Sequence, residues 1–240
     1  MKELKPKSIP LIFADLPYGT TQNKWDSVIP PAPLWEQYER IITDNGAILL
    51  FGQDKFTAMM MLFKEDIHRY NIIWKKTTPT GFLNSKRMPL RIHEDIMVFY
   101  KSLPTYNPQK TTGHTPVHSY TKHTSDGTNY GETKLGVSGG GSTERYPTSI
   151  WEFPTDKQKC SIHPTQKPLE LCRCGIRTYS NEGDLVLDNC CGAGTIPLAA
   201  KLENRNYIGM DNGVCEKENS EYYGMYWADI ARNRIENYKN

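Results

Sequence analysis

The sequence predicts an α/β fold, a doubly wound and mostly parallel sheet with helices on both faces and a small inserted lobe. Three observations carry that expectation. Short apolar runs alternate with amphipathic stretches over the first hundred residues. A strand, a glycine turn, a helix and a second strand follow one another near the end. Between these parts, residues 101–149 break the rhythm.

Ile9 to Ala14 is an apolar run stopped by Asp15, which reads as a buried strand opening into a functional loop. Leu34 to Thr43 has the spacing of an amphipathic helix. Ala47 to Phe51 is a second buried strand ended by Gly52, and Asp54 to Phe63 is helical with Met59 to Leu62 on its apolar side. Asn71 to Trp74 and Asp95 to Tyr100 are further strands. Residues 101–149 are rich in Thr, Gly, His, Asn and Ser, with Gly139, Gly140 and Gly141 in a row, so no core can be built from them. Such a length of chain without structure of its own is unusual inside a compact domain, and Tyr106, Tyr120, Tyr130 and Tyr146 suit a binding surface. Order returns where Pro168 can start a helix over Leu169 to Tyr179. Leu185 to Asp188 is a strand, Gly192 to Gly194 a turn and Thr195 to Leu202 a helix. Tyr207 to Met210 is a strand with Asp211 at its tip, and Tyr222 to Tyr238 a last helix.

At 240 residues the chain is long enough for one large core, so residues 1–240 read as a single domain with 101–149 inserted. Charged residues are 23% and apolar ones 38%, a globular balance, and the net charge of +2 excludes a uniformly basic coat. No apolar run reaches the roughly 18 residues of a membrane span, and Lys2, Lys5 and Lys7 precede no signal-peptide core. The expectation is a soluble, cytoplasmic protein without a membrane partner. Cys160, Cys172, Cys174, Cys190, Cys191 and Cys215 form no paired C-x-x-C clusters, so neither a metal site nor a disulfide framework is signalled.

The stretch Asp188-Asn-Cys-Cys-Gly-Ala-Gly-Thr195, with Asp211 on the following strand, has the parts of a nucleoside cradle. Glycines let backbone approach the ligand, and an acid at the next strand tip accepts ribose hydroxyls. A nicotinamide site is disfavoured, because Pro197 and Leu198 stand where a third glycine of G-x-G-x-x-G is needed. Asp188 would also repel a pyrophosphate yet welcome a cofactor carrying an ammonium and a sulfonium, which describes S-adenosylmethionine. Fewer than thirty residues follow Asp211, so the rest of the sheet must come from the front of the chain. Asp15, Asp188 and Asp211 would then line one crevice at the strand carboxyl ends.

Asp15-Leu-Pro-Tyr18 is the second motif. The exocyclic amine of a base is a poor nucleophile because its lone pair is delocalised, and accepting hydrogen bonds from both its protons makes the nitrogen more tetrahedral. The Asp15 carboxylate and Leu16 carbonyl supply two acceptors, Pro17 fixes the turn, and Tyr18 offers a face for a flipped base.

These motifs resemble the β class of amino-group DNA methyltransferases. Asp15 to Tyr18 resembles that family's D-P-P-Y, His163-Pro-Thr-Gln-Lys-Pro168 matches its H-P-T-Q-K-P, and Asp188 to Thr195 resembles D-P-F-x-G-S-G-T. Trp25-Asp26, Trp74-Lys75-Lys76, His93-Glu94-Asp95 and Arg145-Tyr-Pro-Thr-Ser149 also look like family features in the expected order. The resemblance implies a Rossmann-like fold in circularly permuted methyltransferase order, with 101–149 as target-recognition region. It implies S-adenosylmethionine held by His163, Thr165, Lys167, Asp188, Asn189, Cys190, Gly192, Gly194, Thr195, Asp211 and Asn212. Lys167 and the helix opening at Pro168 would bind the cofactor's carboxylate, with His163 positioning rather than acting as a base. Two departures stand out: Leu16 replaces a proline, and Asn189-Cys190 replaces Pro-Phe, removing an aromatic wall near the cofactor. No Pro-Cys pair occurs, so Cys190 and Cys191 are assigned to packing rather than to attack on cytosine.

From Lys64 to Arg91 seven basic residues face two acidic ones, a local balance of +5. Lys75, Lys76, Asn84, Lys86 and Arg87 from this run, and Arg145, are the expected contacts to double-stranded DNA. A motif led by Asp resembles the adenine-N6 members, so adenine is favoured over N4 of cytosine. RNA or protein methylation and an inactive DNA-binding homologue are the further readings. The resemblance leaves open a homodimer and a companion restriction endonuclease as partners, in a bacterial or bacteriophage setting.

Overall fold

The computed structural model describes residues 1–20, 26–122, 136–156, 162, 166–216 and 218–238. The elements in chain order are β1 (Ile9–Ala14), α1 (Pro31–Ile41), β2 (Ile42–Gly52), α2 (Asp54–Phe63), β3 (His68–Thr80), a 3-10 turn (Phe82–Asn84) and β4 (Arg91–Phe99). Then come β5 (Tyr120–Thr121), β6 (Ser138–Gly139), β7 (Ile150–Phe153), α3 (Leu169–Tyr179), β8 (Leu185–Asp188), α4 (Thr195–Leu202), β9 (Asn206–Gly209) and α5 (Trp227–Asn237). The chain forms two compact units, Met1–Asn107 with Ser149–Asn240, and Pro108–Thr148.

In the larger unit, seven strands among the described residues form one sheet in the order β7-β3-β4-β2-β1-β8-β9. The N-terminal strand β1 runs parallel to both β2 and the late strand β8, and β8 runs parallel to β9. Only β4 is reversed, antiparallel to β2 and β3, so the sheet is mostly parallel as expected. Because β1 is central it is buried on both faces, and its side chains divide between two cores. Leu11 and Phe13 pack with α3 and α4 residues such as Leu171, Ile176 and Ala199. Ile12 and Ala14 pack with α1 and α2 residues such as Trp35, Tyr38 and Met60. Each fully buried Leu, Ile or Phe stabilises the fold by about 1.5–3 kcal/mol relative to exposure.

Several boundaries differ from expectation, each for a local reason. α1 begins at Pro31, whose fixed φ and missing N–H suit a first helical position, and it ends where Ile42 enters β2. β3 extends well beyond Asn71 to Trp74 because it pairs with β4 on one side and with β7, an unexpected strand, on the other. The last helix starts at Trp227. The residues before it form turns, including left-handed Gly224 at φ 79°, and Tyr226 bridges to Val214 instead. No described helix is long and apolar enough to cross a membrane.

The smaller unit has no buried residue among those described, in keeping with its polar composition. β5 pairs antiparallel with β6, and Thr111 bridges Arg145. The expected start at residue 101 is too early. Asn107 donates to the carbonyls of Arg177 (3.2 Å) and Ser180 (3.0 Å), and the Tyr106 ring meets Tyr179, so these residues belong to the larger unit.

Candidate active site

β1 and β8 are parallel neighbours, so the turns that follow them leave the same edge of the sheet. Asp15 and Asp188 therefore lie together although 173 positions separate them in sequence, and Asp211 follows β9 at the next strand end. The early acidic turn and the late glycine turn share one crevice, where open α/β sheets bind their ligands.

Asp15 sits at the head of a chain of charges whose two lysines, Lys167 and Lys76, are buried and whose acids are partly buried. Its Oδ1 accepts from the Tyr18 hydroxyl at 2.7 Å and pairs with Lys167 Nζ at 2.9 Å. Lys167 also meets Glu94 Oε2 at 3.0 Å, and Glu94 Oε1 pairs with Lys76 at 2.6 Å. Burial raises the Asp15 carboxyl above its ordinary value, Lys167 opposes that, and Glu94 adds to it. Burial alone would raise Glu94 too, but Lys167 and Lys76 outweigh it and hold its pKa below normal. Lys167 is pushed up: burial works against its charge, and Asp15 and Glu94 more than compensate. Among the described residues both contacts to the Asp15 carboxylate fall on Oδ1, which leaves acceptor capacity on Oδ2.

The Tyr18 ring leans on Phe56 of α2, with centroids 5.0 Å apart, and Lys167 lies over its face at 5.3 Å. The turn beyond it is held by Asp26, whose carboxylate accepts from the amides of Gly19 and Thr20, each at 2.9 Å. Leu16 sends its side chain into the α1/α2 core, so only its backbone is left for chemistry, and its replacement of a proline is tolerated by packing.

On the glycine side, Gly192 (φ 46°) and Gly194 (φ 75°) are in the left-handed region that side chains disfavour. A Cβ on Gly194 would come within 2.7 Å of Ala231 in α5, so that glycine also permits helix packing. Asp211 is held by two backbone amides, Gly192 to Oδ2 and Gly213 to Oδ1, both at 2.8 Å. Among the described residues the Asp188 carboxylate accepts from the Cys190 amide alone, at 3.1 Å. Burial raises its pKa well above normal, and Asp15 and Asp211 add to that. Burial and Asp188 likewise raise the Cys190 and Cys191 thiols, which is the wrong direction for nucleophiles and agrees with packing roles. Asn189 has a partner the sequence did not suggest. The buried Tyr38 hydroxyl donates to its Oδ1 at 2.5 Å, so α1 anchors the cradle where the family's Pro-Phe is missing. Thr195 is buried and accepts from Arg234, while Asn212 is exposed. His163 and Thr165, and Trp25 of the Trp25-Asp26 feature, lie outside the described residues.

Three expectations need correction. Lys167 does not face outward to await an anion: its ammonium is committed to Asp15 and Glu94, and the first amide of α3, at Leu169, donates to Asp156 at 2.7 Å. Lys76 cannot contact DNA, because it is buried against Glu94 and over the Trp74 ring. The basic run also disperses on folding. Lys64 pairs with Glu39, Lys75 with Glu152 and Arg91 with Asp54, while Arg69 donates to backbone carbonyls. Asn84, Lys86 and Arg87 remain exposed on the β3–β4 loop. In the smaller unit, the Arg145 guanidinium donates to the carbonyls of Ser142, Glu144 and Thr115, which employs it in holding that unit's backbone. Glu94 was noted only within the His93-Glu94-Asp95 feature and given no role, and Tyr38 was missed, since nothing in a helical tyrosine singled it out.

A family model described as DNA methylase matches residues 9–221. The type II methyltransferase M.HpaI of Haemophilus parainfluenzae is 28% identical over 257 aligned residues, covering 99% of this chain and 76% of the relative. The DNA adenine methyltransferase YhdJ of Escherichia coli strain K12 is 24% identical, covering 96% and 80%. Among solved structures, the M1.HpyAVI–SAM complex superposes with a TM-score of 0.59 at 22% identity, covering 97% of this chain and 90% of that one. The cytosine-N4-specific PvuII DNA methyltransferase superposes with 0.58 at 14% identity, covering 98% and 88%. At these identities the two structures establish a shared fold.

Proposed function

Because the chain belongs to the DNA methylase family of amino-group methyltransferases, we propose that it carries a methyl group from S-adenosylmethionine to N6 of adenine in double-stranded DNA. One observation carries this reading: a fixed carboxylate, Asp15, stands beside the buried acid and glycine cradle of Asp188, Gly192 and Asp211. The acids suit a cationic ligand, since Asp188 is 2% exposed and has no cation of its own among the described residues. The left-handed glycines suit close backbone approach, and Asp211, held by two amides, keeps acceptor capacity for ribose hydroxyls. S-adenosylmethionine supplies the electrophilic methyl group. Asp15 Oδ2 and the Leu16 carbonyl accept the two amino protons and turn the nitrogen lone pair out of the ring, while Tyr18 stacks on the base. The amine loses its proton after transfer, when it is strongly acidic, so no general base is needed beforehand.

Asp188 links cofactor affinity to stability. Its folded pKa lies above the usual 3.8, so the folded protein holds the proton more tightly than the unfolded chain. Stability from this site is therefore present at low pH and lost as pH rises through the folded value. Asp188→Asn keeps the acceptor for the Cys190 amide and removes the charge. The expected result is a higher melting temperature for the cofactor-free protein, with affinity for S-adenosylmethionine lowered by about tenfold or more, equivalent to about 1.4 kcal/mol. Differential scanning fluorimetry and titration calorimetry measure the two effects.

Adenine is favoured by the leading Asp of the motif, and the relative YhdJ is a DNA adenine methyltransferase. Digestion of DNA treated with the protein and the cofactor, followed by mass spectrometry of the nucleosides, is expected to yield N6-methyladenine. N4-methylcytosine would overturn the choice of base while leaving the reaction class intact, and an unmodified digest would count against the reaction itself.

A further inference from the structure

The β3–β4 loop presents apolar side chains to solvent in a place where the proposed reaction needs one. Leu83 is fully exposed, with a relative accessibility of 102%, and Phe82 (63%) and Met88 (45%) stand beside it. Single exposed leucines are ordinary, but a cluster at a loop tip is not. The loop is also built to hold its shape. Gly81 takes a left-handed turn at φ 91°, and backbone bonds from Asn84 to Gly81, Ser85 to Phe82 and Arg87 to Asn84 close successive tight turns at 2.8–3.1 Å. The same loop carries Lys86 and Arg87, exposed cations of the basic run, whereas Lys64, Lys75, Lys76 and Arg91 pair with acids and Arg69 donates to backbone carbonyls.

Its position relative to Asp15 follows from the sheet. β3 and β1 point the same way, because each is related to β2 through parallel or doubly antiparallel pairing. The loop therefore leaves the edge from which Asp15 projects. Lys76 on β3 and Glu94 on β4, near the root of the loop, connect through Lys167 to Asp15. Between root and cluster, Arg91, His93 and Glu94 face Thr57 and Met61 of α2 across a cleft of about 480 Å³, within the size range of small-molecule sites.

We propose that the loop is a wedge that enters the duplex next to the target base, with Leu83 and Phe82 inserted at the base step and Lys86 and Arg87 on the flanking phosphates. The inference rests on the DNA methylation reading above. Apolar side chains inserted between base steps unstack and kink DNA, and a base must leave the stack before Asp15 can reach its amino group. The cations favour DNA over another apolar surface as the occupant.

The test compares Leu83→Ala and Phe82→Ala with the unsubstituted protein on two duplexes that contain the methylated site mapped by sequencing. One is fully paired, and in the other the target base faces an abasic position, so that unpairing costs less. On the paired duplex kcat/KM is expected to fall by about tenfold or more, the scale of losing help with one unstacked step. On the abasic duplex both variants should stay within about threefold of the unsubstituted protein, because the wedge's work is already done. Lys86→Ala and Arg87→Ala should instead weaken both duplexes alike and each reduce the salt dependence by about one phosphate contact. Unchanged rates, or equal losses on both duplexes for Leu83→Ala and Phe82→Ala, would overturn the wedge. So would a change of oligomeric state in Leu83→Ala with methylation intact, since the tip would then bind a second copy. If the unsubstituted protein methylates neither duplex, the DNA reading itself fails and the wedge falls with it.

Discussion

Asp15→Ala is expected to lower methyl transfer by roughly 10²–10³-fold, the range found when one acceptor or donor is removed from a preorganised transition-state site. Cofactor affinity should change little, because the cradle is formed by Asp188, Asp211 and the glycine turn on neighbouring strands. The fold should survive as well: Lys167, buried and relieved of Asp15, keeps Glu94 at 3.0 Å. Asp15→Asn refines the test. The amide keeps the volume and one acceptor but cannot stay ionised, so a loss as large as that of alanine would assign the effect to charge. Single-turnover rates with cofactor saturation confirmed by calorimetry separate the step from binding. Methylation retained in Asp15→Ala would remove this residue from the chemistry and leave the crevice without its acceptor.

The parts of the fold that were legible in the sequence are those with local causes. β1, α2, α3, β8 and α4 have the bounds expected from apolar runs stopped by Asp15, Gly183 or a proline, because buried strands and capped helices write themselves into a few adjacent residues. The pairing of β1 with β8 was inferable only from what the late cradle lacked, and β7 was not, since four residues beside a polar stretch resemble any loop. The site divides in the same way. Asp15, Asp188 and Asp211 could be expected at strand ends from position alone, whereas Lys167 meeting Asp15 across 152 residues depends on the tertiary fold. Charge was the least legible property. Seven basic residues in a row of 28 look like one patch, yet their partners Glu39, Glu94, Asp54 and Glu152 come from other elements.

Lys167→Met should have the largest effect on stability, and it tests whether the ion chain exists to keep Asp15 ionised. The variant leaves two partly buried carboxylates without their shared buried cation, and removing one partner of a fully buried pair costs about 3–5 kcal/mol, the upper end of what is expected here. For a chain of this size that corresponds to a fall in melting temperature on the order of 10 °C. Glu94 retains Lys76, so the uncompensated charge falls mainly on Asp15. Lys167 lowers the Asp15 pKa against the raising effect of burial, and its loss must raise that pKa further. A protonated Asp15 is left with a neutral and weaker acceptor for the amino proton, so the acidic limb of the pH–rate profile should move to higher pH and activity should recover as pH increases. The wild-type pair behaves in the opposite sense: Lys167 has a raised folded pKa, so its contribution is intact below the ordinary lysine value and is lost only as pH rises through the folded one. Glu94→Gln introduced into Lys167→Met removes one of the two orphaned charges and is expected to recover part of the lost stability; because Glu94 raises the Asp15 pKa, the acidic limb should move partway back but not to its wild-type position, since Asp15 still lacks its cation. A Lys167→Met protein that melts normally and keeps the wild-type acidic limb would show that Asp15 is held ionised by something other than this chain of charges.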